Sequence, residues 1–428
     1  MKRCLIIGGG LAGLTAASIL SSKKFSVTLI ESSPKTGGRT YSYVDKETGN
    51  EIDNGQHIMM GCYKETLSFL KLIGAENNFD YQKNLYLKFL DRNKNEFQIS
   101  AEKLFYPFNL LKAILDYNRL SRKQKKYFVV FLLKLPLLSK NSLKRVTVKE
   151  WLENENQDLN TIKSFWEILG IGALNTGLEK ASALVFYEVL LQIFFKGNFA
   201  STIILPKYGL SESIINPATS FLINNNGKII LSETIKEVEI KNRKIVSVKS
   251  DKNSYDKFDY VISAIPLYAL EKIISQKQLS IYLELEYSTI LNVHIWLKEK
   301  TLTEKFYGLL DSPLHWIFVK EKHINIVISN ADYLEDEEKD EIYNLVCDEL
   351  TKYTSIIEDD ILKYQIIKEK RATFVPDISS LGKRPNSKTE IKNLFLAGDW
   401  INTGLPSTIE SAVKSGRLAA ELVLNEFD

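Results

Sequence analysis

The opening residues of the chain constrain its fold more than any other stretch. Lys2-Arg3-Cys4-Leu5-Ile6-Ile7 is a short apolar strand that runs straight into Gly8-Gly9-Gly10-Leu11-Ala12-Gly13, and a helical pattern follows. At this spacing the first glycine permits a tight turn, the second lets the backbone approach a pyrophosphate, and the third lets helix and strand pack closely. Gly8, Gly10 and Gly13 fill those positions, and the free N–H groups of a helix opening at Leu11 and Ala12 are ready donors for phosphate oxygens. A second strand, Phe25-Ser26-Val27-Thr28-Leu29-Ile30, ends at Glu31, spaced to accept hydrogen bonds from ribose hydroxyls. The pattern predicts a Rossmann-like α/β unit and a dinucleotide ligand. A signal peptide also starts basic and turns apolar, but here glycines break the apolar run and the strand–turn–helix pattern continues to Glu31.

At 428 residues the chain is long enough for two domains with sizeable cores. Its net charge of +3 is nearly balanced, so no global field selects nucleic acid. Three scattered cysteines, Cys4, Cys62 and Cys347, make no disulfide framework and point to a reducing, cytoplasmic setting. The four histidines (His57, His294, His315 and His323) have no metal-ligand spacing, so no metal is expected. No apolar run reaches the length of a membrane span.

Patterning along the chain predicts a discontinuous cofactor domain made of residues 1–71, 203–266 and 393–428. Residues 72–202 read as a largely helical insertion rich in Leu, Phe and Lys. Residues 267–392 show strand patterns over 289–297, 315–319 and 324–329, then an acidic helix over 334–353. The two insertions are expected to form a substrate domain of mixed sheet plus helices.

Gly37-Gly38-Arg39-Thr40, just past Glu31, resembles the signature of the flavoprotein superfamily that contains amine oxidases and phytoene desaturases. The resemblance implies FAD, with the backbone at Gly38 close to the cofactor and Arg39 on its phosphates, a role suited to a planar fork of donors. A surface arginine after a turn is the alternative. Near the other end, Leu394-Phe395-Leu396-Ala397 leads into Gly398-Asp399-Trp400, and Thr408-Ile409-Glu410 opens the last helix. By the same resemblance, Gly398 and Asp399 meet the ribityl-phosphate arm. The helix start at Thr408 and Ile409 aims its positive end at the flavin's pyrimidine edge, where donors stabilise the charge of the reduced form. Ile409 and Glu410 are expected to act through backbone. Val238 is implied to hold the adenine by its main chain, with an ordinary strand-core valine as the alternative.

Asp53-Asn54-Gly55-Gln56-His57, followed by Gly61-Cys62-Tyr63, is similar to the hydroxysqualene dehydroxylases, also called squalene-associated FAD-dependent desaturases. Further patches recur in the family's order: Ala173-Leu174-Asn175-Thr176 with Ala181-Ser182-Ala183, His315-Trp316-Ile317-Phe318, Glu369-Lys370-Arg371-Ala372-Thr373-Phe374 with Arg384-Pro385, and Thr403-Gly404-Leu405-Pro406. Gly177-Leu178 departs from the pattern, where proline is common, and reads as a loop difference. The implied reaction replaces the hydroxyl of hydroxysqualene by hydride from reduced flavin.

Loss of a hydroxyl needs a proton donor, and the cation left behind needs a dry site and electron-rich faces. Tyr63, Trp316 and Phe318 are the candidate substrate-binding rings. Gly55 and Gln56 are implied to pass beside the flavin. His57 is the candidate proton donor or water-orienting group, against a histidine that only hydrogen-bonds backbone or cofactor. Gln56 and Asp53 join it as catalytic candidates, Asp53 alternatively tying down the loop. Lys370 and Arg371 are second candidates, alternatively solvated cations. A carotenoid-type desaturase running hydride the other way is the near rival, and a non-catalytic isoprenoid carrier is the answer of a different class. The electron donor is not legible.

An isoprenoid substrate dissolves in a bilayer. Residues 112–145 combine Tyr127-Phe128-Val129-Val130-Phe131-Leu132-Leu133 with Arg119, Arg122, Lys123, Lys125, Lys126, Lys134, Lys140 and Lys144, and Asp116 as their one acid. Such a segment can lie in a membrane interface, so peripheral association at the inner face of the membrane is expected, with a core helix carrying a solvated lysine face as the alternative.

Overall fold

A computed structural model describes residues 2–426, so Met1, Phe427 and Asp428 at the outer limits of the expected cofactor domain lie outside the described residues. At its centre is a five-stranded parallel sheet in the order Lys228–Ile230, Ser26–Ile30, Arg3–Ile7, Tyr260–Ser263, Leu394–Leu396. Its strands are continuous apolar runs, as a parallel sheet covered on both faces requires. The Leu11–Ser22 helix packs against it with ten of its twelve residues buried. The Ile409–Asn425 helix crosses that helix so closely that a Cβ at Gly416 would lie 2.2 Å from the Ala12 carbonyl oxygen. Residues far apart in sequence thus supply the two helices that flank the dinucleotide turn.

A small antiparallel layer, Ile235–Lys241, Lys244–Ser250 and Ser254–Tyr255, covers the other face of the parallel sheet. The second large element is a seven-stranded sheet ordered Ile361–Phe374, Tyr287–Leu297, Ile324–Ile328, Trp316–Val319, Phe306–Leu309, Tyr86–Leu90, Glu96–Ser100. Leu291, Val293, Ile295, Ile326 and Ile328 face the Lys339–Tyr353 helix through Val346 and Leu350. The opposite face, through Asn292 and His294, meets the segment from Asp53 to Gln56.

Residues 72–202 are less uniformly helical than expected. Tyr86–Leu90 and Glu96–Ser100 form a hairpin that joins the large sheet through parallel pairing of Phe89 with Gly308. The remainder is a helical cluster centred on Trp166, stacked on Phe128 with ring centroids 4.5 Å apart. In the Arg122–Lys134 helix, Phe128 and Phe131 are fully buried, so the aromatic face of the basic segment belongs to the core. No helix among the described residues is long and apolar enough to cross a membrane.

Candidate active site

The glycine turn has the geometry its spacing requires. Gly8 has φ +105°, and a Cβ on Gly13 would lie 1.9 Å from the Gly8 carbonyl oxygen, so helix and strand meet without room for a methyl group. Gly10 differs. Its backbone is extended (φ −71°, ψ 178°), a conformation open to any residue, and a Cβ there would have only Gly38 Cα, 3.9 Å away, as a near neighbour. Protein sterics therefore do not explain this glycine, and the space over its backbone is open to a ligand. Beside it, Gly37 donates its N–H to the Gly9 carbonyl at 2.8 Å, and Gly38 has φ +61°. The N–H groups of Leu11, Ala12 and Gly13, in the first helical turn, lack intrahelical acceptors.

Glu31 accepts from Gly9 N at 2.6 Å and Ser33 N at 2.8 Å, so its carboxylate anchors the turn from behind. Val238 lies on the antiparallel layer, paired with Val248 and packed at the edge of the cluster that contains Ile7 and Ile30.

The two ends of the chain meet directly. Arg39 Nη2 donates to Asp399 Oδ1 at 2.7 Å, and Nη1 donates to the Ala372 carbonyl at 2.6 Å. Asp399 also accepts from Ser407 Oγ. Burial opposes ionisation of Asp399, but the Arg39 charge and the hydrogen bonds from Ser407 and Arg39 hold its carboxyl below the ordinary range. Gly398, at φ +134°, donates its N–H to Ser415 Oγ at 2.8 Å. Thr408 caps the last helix by accepting from Ser411 N at 3.1 Å, which leaves the amide of Ile409 free in the first turn.

Glu410 does more than the backbone role expected of it. Its carboxylate accepts from Glu65 N (3.0 Å), Thr66 N (2.9 Å) and Thr66 Oγ1 (2.7 Å), closing the N-terminus of the Lys64–Leu72 helix. Arg384 was visible in sequence only as part of a patch. It donates to the carbonyls of Asp399 (2.8 Å), Leu405 (2.8 Å), Trp400 (3.2 Å) and Ile401, clamping the loop that carries Asp399.

The segment from Asp53 to His57 is laid across the large sheet. Asp53 Oδ1 accepts from Ser42 Oγ and Leu210 N, both at 2.8 Å, which is the tethering alternative for this residue. Gln56 N donates to Asn292 Oδ1 at 3.2 Å, and Asn325 Nδ2 donates to the same oxygen at 3.2 Å. Gln56 Oε1 and Asn325 Oδ1 are buried without a protein partner. His57 Nδ1 lies 2.7 Å from the Gly55 carbonyl oxygen, so Nδ1 carries the proton that donates to it, and Nε2 is not engaged by this bond. Burial lowers the His57 pKa, outweighing the Gly55 carbonyl and Asp53.

The strand Ile361–Phe374 separates its three consecutive charges. Glu369 turns inward and accepts from Asn54 Nδ2 at 3.2 Å. Arg371 stacks over Tyr268, 4.5 Å from the ring centroid. Lys370 faces the other way and pairs with Glu335 (3.2 Å) and Asp336 (3.1 Å) at the surface, so the structure does not bring it to the site.

Beyond His57 the sheet face is apolar. Phe318 and Phe306 are stacked 6.0 Å apart, Trp316 lies 6.1 Å from Phe306, and Ile203 and Val327 complete the cluster with Ile58 and Met60 against it. Tyr63 sits apart from this cluster, between the helical core and the parallel-sheet core.

At its other end the same face carries His294 and His323, ring centroids 5.2 Å apart. His294 Nε2 donates to the Asp53 carbonyl at 3.2 Å, while His294 Nδ1 and His323 Nε2 are buried without partners. Burial first, then the neighbouring His323 and Lys320 charges, lowers His294 to about 3. Burial and Lys320 lower His323 to about 4, and burial lowers His315 to about 4. Below the unfolded value of 6.5 the unfolded chain takes up protons that the folded chain refuses. The stability from these neutral rings is therefore complete above pH 6.5 and is lost as pH falls toward 4. Each ring contributes a slope on the order of 1 kcal/mol per pH unit in that window. Urea midpoints measured between pH 7.5 and 5 should fall, and His323→Gln should flatten the fall. An unchanged slope in that variant would refute the assignment.

A glycine turn open at Gly10, free helical amides and an Arg39–Asp399 pair joining the chain ends form a dinucleotide site whose donor set fits FAD, and with the family that the chain matches they make it a flavin-dependent oxidoreductase. The chain belongs to the flavin containing amine oxidoreductase family, whose model matches residues 11–424. It is 31% identical over 428 residues to the hydroxysqualene dehydroxylase of Zymomonas mobilis subsp. mobilis, covering 98% of each chain. It is more distantly similar, at 23% identity over 99% of this chain and 78% of the other, to the 15-cis-phytoene desaturase of an Oncidium hybrid cultivar. Among solved structures, an oxidoreductase from Methanosarcina mazei superposes with a TM-score of 0.74 at 18% identity, over 99% of this chain and 100% of the other.

Proposed function

We propose that this enzyme reductively dehydroxylates hydroxysqualene, a thirty-carbon isoprenoid alcohol, to squalene. The observation that carries the reading is the wall beside the Asp53-to-His57 segment. Val327, Trp316, Phe318 and Phe306 form an apolar and aromatic patch on this face of the large sheet, bordered by Asn292 and Asn325. The one carboxylate beside it, Glu369 across from Ile290, is held by Asn54 Nδ2 at 3.2 Å. A polyene, and a cation formed on it, are suited by such hydrocarbon and aromatic faces. Similarity to a hydroxysqualene dehydroxylase, closer than to a desaturase, supports the direction of the reaction.

In the balanced reaction the C–O bond breaks, the hydroxyl leaves as water after gaining a proton, and a C–H bond forms at the same carbon. Bound FAD, in its reduced form, supplies the hydride. Leu11, Ala12, Gly13 and Arg39 would hold its phosphates, Glu31 and Val238 its adenosine end, and the Gly398–Asp399 turn and Ile409 amide its flavin end. His57 delivers the proton through Nε2 as the imidazolium. Its lowered pKa makes that form a strong acid and confines it to lower pH. Trp316 and Phe318 shield the cation, while Arg371, exposed and stacked over Tyr268, takes no part in proton transfer. Asp53 and Gln56 set the position of His57.

Two measurements test this. Reduced enzyme mixed anaerobically with hydroxysqualene should form squalene in step with flavin reoxidation; a yellow protein inert to hydroxysqualene would favour the desaturase reading. His57→Gln should keep its flavin spectrum and lose about 100-fold in turnover. The wild-type rate should fall as pH rises through the depressed His57 pKa, and this dependence should vanish in the variant. A variant that keeps the wild-type pH profile would exclude His57 as the acid. The enzyme would meet its substrate as a peripheral protein at the cytoplasmic face of the membrane.

A further inference from the structure

The Phe108–Asp116 helix turns Asn109, Leu110, Ala113 and Ile114 into the core. A surface helix would normally present polar residues on its other face. Here that face carries Phe108 (51% exposed), Leu111 (36%) and Leu115 (46%), and the loop before it adds Leu104 (62%) and Phe105 (73%). Phe105 and Phe108 meet edge to face at 5.4 Å. Leu104 has φ +72°, a conformation L side chains rarely adopt. The face is anchored rather than loose: Tyr106 OH donates to the Phe194 carbonyl at 3.0 Å, and Asn109 Nδ2 donates to the Ala101 carbonyl at 3.3 Å and to Asn198 Oδ1.

Charge selects the occupant. Residues 101–145 hold eleven lysines and arginines and only two acids, Glu102 and Asp116. Arg119, Lys134 and Lys140 pair with Asp91, Glu155 and Glu188 from elsewhere, yet the stretch keeps a positive excess in a chain that is only +3 overall. Asp116 is itself paired with Lys112, and Lys103 lies 3.9 Å from it. Arg122, Lys123 and Lys126 are exposed at the start of the next helix. A second copy docked on this face would bring two strongly basic surfaces together, which is unfavourable. An anionic lipid surface satisfies both the exposed hydrocarbon and the cations.

We propose that the face formed by Leu104, Phe105, Phe108, Leu111 and Leu115 inserts into an anionic bilayer and is the surface at which the enzyme collects its lipid substrate. The second half rests on the isoprenoid reading above. The face is one hydrogen bond from the Asn198–Ser201 turn. That turn backs directly onto Gly61, where a Cβ would lie 1.7 Å from the Phe199 carbonyl oxygen, and so onto Met60 and the apolar wall. The membrane contact is thus placed on the loop and short helix before the Arg122–Lys134 helix, which buries Phe128 and Phe131 and exposes only Val130 and Leu133 among its large apolar residues.

The test uses the full-length flavoprotein, co-sedimented with vesicles of phosphatidylcholine alone or with added phosphatidylglycerol. Wild type should bind the anionic vesicles, and Phe105→Asp/Phe108→Asp should bind about tenfold less or not at all. Leu362→Asp, equally exposed on a strand of the large sheet, should bind as wild type. All three should turn over detergent-solubilised hydroxysqualene equally, while the double variant alone should fail on hydroxysqualene embedded in vesicles. Absence of wild-type binding, or binding untouched by the double substitution, overturns the proposal, as does a change of oligomeric state in the double variant. Vesicle binding without activity in detergent would instead remove the substrate reading and leave the bilayer contact standing.

Discussion

Gly10→Ala is expected to give a well-folded protein that has lost most of its flavin. The extended backbone of Gly10 suits alanine, and an added Cβ finds no protein atom closer than 3.9 Å. Alanine also restricts the unfolded chain, so the cofactor-free protein should be as stable as wild type or more so by about 0.4–1 kcal/mol. The methyl group instead occupies the open space over the free amides of Leu11 and Ala12. Overpacking against a ligand held there should cost about 1–3 kcal/mol, or roughly 5- to 150-fold in FAD affinity. Gly13→Ala is the contrast, because its Cβ would lie 1.9 Å from the Gly8 carbonyl oxygen and must break the helix–strand contact itself. Visible absorbance and thermal unfolding of the two variants separate the roles. If Gly10→Ala retained a full complement of FAD, the open space at Gly10 would not be the phosphate cradle.

The two glycine positions also show what was legible in the sequence. The dinucleotide turn was readable because all of its parts are local: a strand, a turn and a helix within about thirty residues, with Glu31 at the expected step. The Gly398–Asp399 turn was readable for the same reason, although its pairing with Arg39 spans the chain. Lys370 and Arg371 stand together as second candidates, with solvated cations as the alternative, because neighbouring charges look like one cluster in sequence. Strand alternation sends successive residues to opposite faces, and Lys370 accordingly pairs with Glu335 and Asp336 outside the site. Asn292 and Asn325 gave no signal at all. Single amides in apolar strands become meaningful only when pairing brings them to Gln56. The Tyr86–Leu90 and Glu96–Ser100 hairpin was hidden by the helical composition around it. Glu410 was correctly placed at a helix start, but its carboxylate serves a different helix, 345 residues away in sequence from its Glu65 partner.

Arg384→Ala should destabilise the protein and release the cofactor together. The guanidinium holds the carbonyls of Asp399, Trp400, Ile401 and Leu405 with donors spread across one rigid plane. It also lies 4.6 Å from the Phe374 ring centroid, which fixes the plane's orientation. Burial lowers its pKa to about 10, partly offset by Asp399, so it remains charged at neutral pH and supplies strong donors. Removing it leaves buried carbonyls without donors at about 1–3 kcal/mol each, for a total near 4 kcal/mol or more. The loop it clamps carries Asp399, the partner of Arg39, so the same loss loosens the join between the two ends of the chain. Arg384→Lys keeps the charge but cannot reach four carbonyls from one ammonium, and it should recover less than half of the loss. Urea unfolding with and without added FAD is the measurement. A cofactor that only needed Asp399 as a charge would be rescued by the lysine; a cofactor that needs the loop's shape would not. An alanine variant with wild-type stability and flavin content would mean that the carbonyls find water when the guanidinium leaves, and that the clamp is not what shapes this half of the site.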